Sequence, residues 1–158
     1  MTSLSYDTVE AFSLLSQERN SLVIYGTSYK STAGIEFGVV CCSASNIIHT
    51  FQETLSTNTT EDQAELLALL AAVKYAVSSK NSYAKCAILW SSISALNNCT
   101  KNPKISEPAA YCRQLCYDNQ NYIHLYLVRG NEGTSLAREE AKSCLLLNSK
   151  PINHHPWT

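Results

Sequence analysis

Three short runs rich in apolar and β-branched residues follow one another between Ser21 and Leu55: SLVIY (Ser21 to Tyr25), GIEFGVVCC (Gly34 to Cys42) and NIIHTFQETL (Asn46 to Leu55). Gly26 closes the first, and a Ser/Thr/Lys loop separates it from the second, so the spacing is that of hairpins and predicts an antiparallel meander. The texture then changes. Ser56 to Thr60 is a polar loop, Thr60 is an N-cap candidate, and EDQAELLALLAAVKYAVSS follows with Glu61 and Asp62 in its first turn. Leu66, Leu69, Leu70, Val73 and Val77 recur at helical spacing, while Leu67, Ala71 and Ala72 widen the apolar arc. A helix with so broad an apolar arc belongs at the centre of a domain rather than on its surface.

Past that helix, strand and helix signals alternate. AKCAILW (Ala84 to Trp90) reads as a buried strand and SSISALNNCT as a short helix capped by Ser91 or Ser92. EPAAYCRQLCYDN starts a helix with Pro in its first turn, NYIHLYLV (Asn121 to Val128) is a strand, and TSLAREEAKSCLLL is a terminal helix capped by Thr134 or Ser135. At the front, Asp7 or Ser5 caps TVEAFSLLSQE as a leading helix. The expected layout is an N-terminal helix and linker (1–20), one domain (21–147) and an irregular tail (148–158). Three meandering strands followed by strand-helix alternation imply an α/β fold, a mixed sheet with helices on its faces.

Composition narrows the function classes. With 12 Lys+Arg against 13 Asp+Glu over 158 residues, the net charge is −1, so no global positive field draws the chain to a phosphate backbone. No apolar run reaches membrane-spanning length, and the first residues lack the basic and apolar regions of a secretory signal. The seven Cys include an adjacent pair, Cys41–Cys42, and others inside apolar runs, which is the pattern of reduced core thiols. The expected setting is intracellular, cytoplasm or nucleus, with no membrane partner. Cys112 and Cys116 share a helix face and invite a metal with His124 or His154–His155, but nothing at zinc-finger spacing completes such a site.

Five segments, in order and on the elements above, carry a resemblance: VIYGTS (Val23 to Ser28), AGIEFGVV (Ala33 to Val40), QAELLALLAAVKYA (Gln63 to Ala76), ILWSS (Ile88 to Ser92) and RGNEGTSLAREEA (Arg129 to Ala141). Together they resemble the ribonuclease H domain, above all the versions carried by reverse-transcribing elements such as retroviruses and retrotransposons. The resemblance implies a ribonuclease H-like fold, a five-stranded mixed sheet whose first three strands are antiparallel, flanked by helices. It also implies a reaction centre of four carboxylates around two divalent ions, one ion activating water and the other stabilising the leaving oxygen. Carried over residue by residue, those positions fall on Tyr25, Glu65, Ser91 and Ser135, and only Glu65 is still an acid. The histidine-bearing loop that precedes the last helix in that family has no counterpart before Arg129.

One carboxylate, two hydroxyls and a phenol do not balance the four positive charges of two Mg²⁺ ions, so the two-metal site is expected to be lost and no cofactor is expected. Glu36, Glu61, Asp62, Glu132, Glu139 and Glu140 are the acids that could substitute. Glu61, Asp62 and Glu132 read as helix N-terminal charge and Glu139–Glu140 as a solvated face. Tyr25 and Trp90 together suggest an old cleft filled with apolar surface, either core or a protein-binding patch. Tyr111, Tyr117, Tyr122 and Tyr126 beside Lys101, Lys104 and Arg113 offer base stacking, against the ordinary role of such Tyr in packing. The resulting expectation is a catalytically inactive ribonuclease H-like module, comparable to a connection or tether domain, that acts through a protein partner or self-association. Residual metal-dependent cleavage of RNA/DNA hybrid, or weak nucleic-acid binding without cleavage, is the alternative.

Overall fold

The computed structural model describes residues 4–9, 20–31, 34–44, 46–101 and 106–128, with Glu139. The meander forms as expected: β2 (Ser21–Ser31), β3 (Gly34–Ser43) and β4 (Asn46–Leu55) pair antiparallel, with Tyr25 opposite Val40 and Val39 opposite Phe51. β2 also pairs in parallel with β5 (Lys85–Trp90), and β5 in parallel with β6 (Ile123–Val128). Parallel neighbours need long crossovers, and helices supply them: α1 (Glu61–Ser78) joins β4 to β5, while α2 (Ile93–Thr100) and α3 (Glu107–Asp118) join β5 to β6.

Two expectations need correction. The first strand does not stop at Gly26 but runs on through Thr27 and Tyr29 to Ser31, paired along its whole length with β3. The segment read as the start of a leading helix is a strand, β1 (Tyr6–Val9), which pairs in parallel with β6. Alternation explains it: Leu4 and Tyr6 pack against the core while Ser5 and Asp7 are exposed, a period of two that the helical reading overlooked. Tyr6 is further tied by its hydroxyl, which donates to Asn97 Oδ1 at 2.8 Å. The sheet therefore has six strands, in the order β1-β6-β5-β2-β3-β4. The remainder of the leading-helix reading and the whole terminal helix lie outside the described residues.

Helix α1 starts where its sequence says it should. Thr60 Oγ1 accepts from the Gln63 amide at 3.1 Å and Gln63 Oε1 accepts from the Thr60 amide at 2.9 Å, a reciprocal capping box. Its broad apolar arc packs on one sheet face with Leu22, Ile24, Phe37, Val39, Ile88 and Trp90. Ser92 caps α2 and Ser106 caps α3, each accepting the backbone N–H three residues on. The opposite sheet face carries a second buried cluster of Val23, Tyr25, Val40, Cys42, Leu89 and Val128.

The tightest approach in the sheet lies at Gly26. A Cβ there would sit 2.7 Å from the Gly38 carbonyl oxygen and 2.7 Å from Cη2 of Trp90, which is fully buried. One contact is backbone and the other a packed ring, so neither yields cheaply. Gly26→Ala is expected to destabilise the fold by about 2 kcal/mol in urea unfolding. An unchanged midpoint would show that Trp90 can move aside.

Candidate functional site

The C-terminal end of β5 lies beside the middle of β2, Tyr25 opposite Leu89 and Gly26 opposite Trp90, and α1 brings Glu65 to Thr27 and Ser28 just beyond. This is where the resemblance places a reaction centre. Glu65 is buried, 8% exposed. Its Oε2 accepts the backbone N–H of Ser28 and, at 3.5 Å, the hydroxyl of Thr27, while Oε1 has no hydrogen-bond partner among the described residues. Burial raises the carboxyl above its ordinary pKa, the bonds from Ser28 and Thr27 oppose that rise, and the nearby Glu61 adds to it.

Tyr25 does not turn towards Glu65. Tyr25 is 1% exposed, with its hydroxyl 3.5 Å from Cys42 Sγ inside the second cluster. Ser91 is exposed just past β5, and Ser135 lies outside the described residues. No group of three or more His, Cys, Asp or Glu side chains among the described residues is placed to hold a metal ion. Two hard divalent cations require several carboxylate oxygens, and Tyr25, Glu65 and Ser91 offer one carboxylate, half of it already engaged. These residues do not fit the ion pair.

The described substitute acids complete no metal-holding group with Glu65. Glu36 is buried on the sheet face opposite α1, where its Oε1 accepts from Thr54 Oγ1 at 3.0 Å. Glu61, Asp62 and Glu139 are exposed, and Glu132 and Glu140 lie outside the described residues. Trp90 and Tyr25 are not two halves of one patch. Register puts them on opposite faces of the sheet, Trp90 in the cluster under α1 and Tyr25 in the other. Both are buried and form core, so neither offers an exposed binding surface as folded.

The Cys112 and Cys116 pairing also resolves into packing. Both face the core from α3, and Cys112 interacts with Cys99 on α2 and with Cys116; these two contacts and burial hold its thiol pKa well above the ordinary value. His124 is exposed on β6, where alternation turns it to the other sheet face from Leu125. Arg113, one of the cations beside the stacking Tyr candidates, donates from Nε to the Cys99 carbonyl (3.0 Å) and from Nη2 to the Asn98 carbonyl (3.2 Å), closing the C-terminal end of α2. Lys101 sits over the Tyr6 ring at 4.8 Å, and Lys104 lies outside the described residues.

Sequence reasoning missed Thr27 and Ser28, because a strand thought to end at Gly26 left them in a loop. It had a usable signal for Glu36, a single acid inside the apolar run GIEFGVV.

Three solved structures share this architecture. The N-terminal RNase H domain of a Mycobacterium tuberculosis protein, solved as a fusion with maltose-binding protein, is 17% identical with a TM-score of 0.62, over 80% of this chain and 94% of that one. LC11-RNase H1 in complex with an RNA/DNA hybrid is 16% identical with a TM-score of 0.65, over 82% and 99%. The foamy viral protease-reverse transcriptase in complex with double-stranded DNA is 15% identical with a TM-score of 0.58, over 78% and 91%. No family model and no curated protein matches the sequence. The chain thus has the ribonuclease H-like fold, at a sequence distance where the likeness speaks for architecture alone.

The linkage of Glu65 to stability has a definite sign. Its folded pKa is raised, so the folded state holds the proton more tightly than the unfolded one. The associated stability is complete below the unfolded value near 4.5 and is lost as pH rises through the folded pKa. Glu65→Gln keeps an acceptor for Ser28 but cannot ionise. The variant is expected to gain on the wild type as pH increases from 4 to 8, measured by urea midpoints. A difference independent of pH would contradict the buried-carboxyl assignment.

Proposed function

We propose that this chain is a catalytically inactive ribonuclease H-like domain derived from a reverse-transcribing element, working as a structural or protein-interaction module of the connection or tether kind. The observation that carries the reading is what has become of the four acid positions. Tyr25 is core, Ser91 is a lone exposed hydroxyl, Ser135 is no longer an acid, and Glu65 uses one carboxylate oxygen to hold the β2 backbone at Ser28. A carboxylate engaged in that way positions a strand rather than an ion. An intracellular setting, cytoplasm or nucleus, accords with it, since Cys41, Cys42, Cys86, Cys99, Cys112 and Cys116 are all free and buried.

The test is calorimetric titration with Mg²⁺ and Mn²⁺ beside a cleavage assay on a labelled RNA/DNA hybrid. No two-ion isotherm and no cleavage above a protein-free blank are expected, and Glu65→Gln should change neither. Metal-dependent cleavage abolished by Glu65→Gln would overturn the reading.

Binding of a hybrid without cleavage is the second reading, favoured by the complex in which LC11-RNase H1 holds an RNA/DNA hybrid. It is weakened by the net charge of −1 and by the internal use of Arg113 and Lys101. A gel shift at low and physiological salt separates the two. Retention that falls steeply with salt supports hybrid binding, and none at low salt excludes it.

A further inference from the structure

We infer that the outer edge of β4 pairs antiparallel with β4 of a second copy of this chain, about a two-fold axis passing by Phe51. β4 ends the sheet, and among the described residues no strand lies beyond it. Edge strands are normally guarded by Lys, Pro or a strong irregularity, because their free N–H and C=O groups template pairing with another chain. This one is ten residues long and contains no Lys, Arg or Pro. Ile47 and Ile48 at its start are 54% and 42% exposed. Its single irregularity falls between the partners of Cys41 and Cys42, at Ile48, which leaves His49 to Leu55 in unbroken register with β3.

The strand is complementary to itself in one register. With the axis at Phe51, His49 of each copy faces Glu53 of the other, twice over by symmetry, and Thr50 faces Gln52. Moving the axis to Thr50 sets His49 against Phe51. Moving it to Gln52 sets His49 against Leu55, and both His49–Glu53 pairs are lost in either case. Phe51 adds an apolar reason for the same register. It borders a cavity of about 650 Å³ between the sheet and the helices, walled also by Phe37, Leu67, Leu70 and Tyr111. Residues directly opposite across an antiparallel pair project from the same sheet face, so the second copy's Phe51 joins the first beside that cavity. Pairing satisfies the edge's backbone groups and extends the sheet across the dimer. The inference goes beyond the proposed loss of metal chemistry and does not depend on it, because β4 is separated from β5 by β3 and β2.

Sedimentation velocity on the full chain over a hundredfold concentration range tests this, and its readout is independent of any nuclease assay. A monomer–dimer equilibrium is expected. Glu53→Lys should weaken it about tenfold, since two cross-strand pairs each lose the carboxylate that accepts from the imidazole, while His49→Glu combined with Glu53→Lys should return the Kd to within about threefold of wild type. Thermal melting of each variant guards against unfolding as the cause. Under mild oxidation, Thr50→Cys mixed with Gln52→Cys should give a disulfide-linked dimer, and Thr50→Cys alone should not. A monomer at every concentration overturns the inference and leaves the edge to a different protein. A dimer indifferent to Glu53→Lys, or one in which Thr50→Cys links to itself, overturns it by placing the interface or register elsewhere.

Discussion

The packing of the Trp90 ring onto the backbone of Gly26 sets the geometry of the whole sheet centre. It joins the parallel half of the sheet to the antiparallel half at the point where the chain leaves β2 in one direction, through β3 and β4, and returns through α1 to β5 on the other side. In open α/β sheets such a reversal normally leaves a crevice beyond the carboxyl ends of the strands, and ligands collect there. Here the indole occupies the α1 side of that junction and is fully buried, while Tyr25 fills the opposite face. The same close packing places a fully buried ring on each side of the junction.

Glu65 then acquires a different role from the one its sequence context suggests. A carboxylate exposed in a cleft is held ready by solvent and neighbouring acids. A buried carboxylate with a backbone N–H on one oxygen serves as a fixed acceptor that anchors α1 to the part of β2 beyond Gly26. The raised pKa reports the cost of that burial, and a desolvated acid with one unpaired oxygen is tolerated only where the surrounding packing supports it.

Much of this was legible in the residues. The Thr60–Gln63 capping box, the wide Ala/Leu arc of α1 and the three meander strands follow from local chemistry, and local chemistry is what one sequence carries best. The failures share a cause. Tyr6 to Val9 becomes a strand because the far edge of β6 accepts it, a tertiary effect that overrides a short helical pattern. Whether Tyr25 and Trp90 share a face depends on the register between β2 and β5, and no residue in either strand declares that register. The cavity beside Phe51 is likewise a property of spacing between elements, invisible in any one of them.

Charge completes the physical picture. A net charge of −1 first argued only against a global field. The structure shows where some of the few cations go. Arg113 neutralises the carbonyl end of α2, Lys101 lies on Tyr6, and Lys74 sits 5.9 Å from the Tyr111 ring centre. Each lies between one element and another. Glu65 likewise spends its carboxyl on the backbone of β2. At β4 the sheet ends in a strand whose first residues, Asn46 to His49, are exposed.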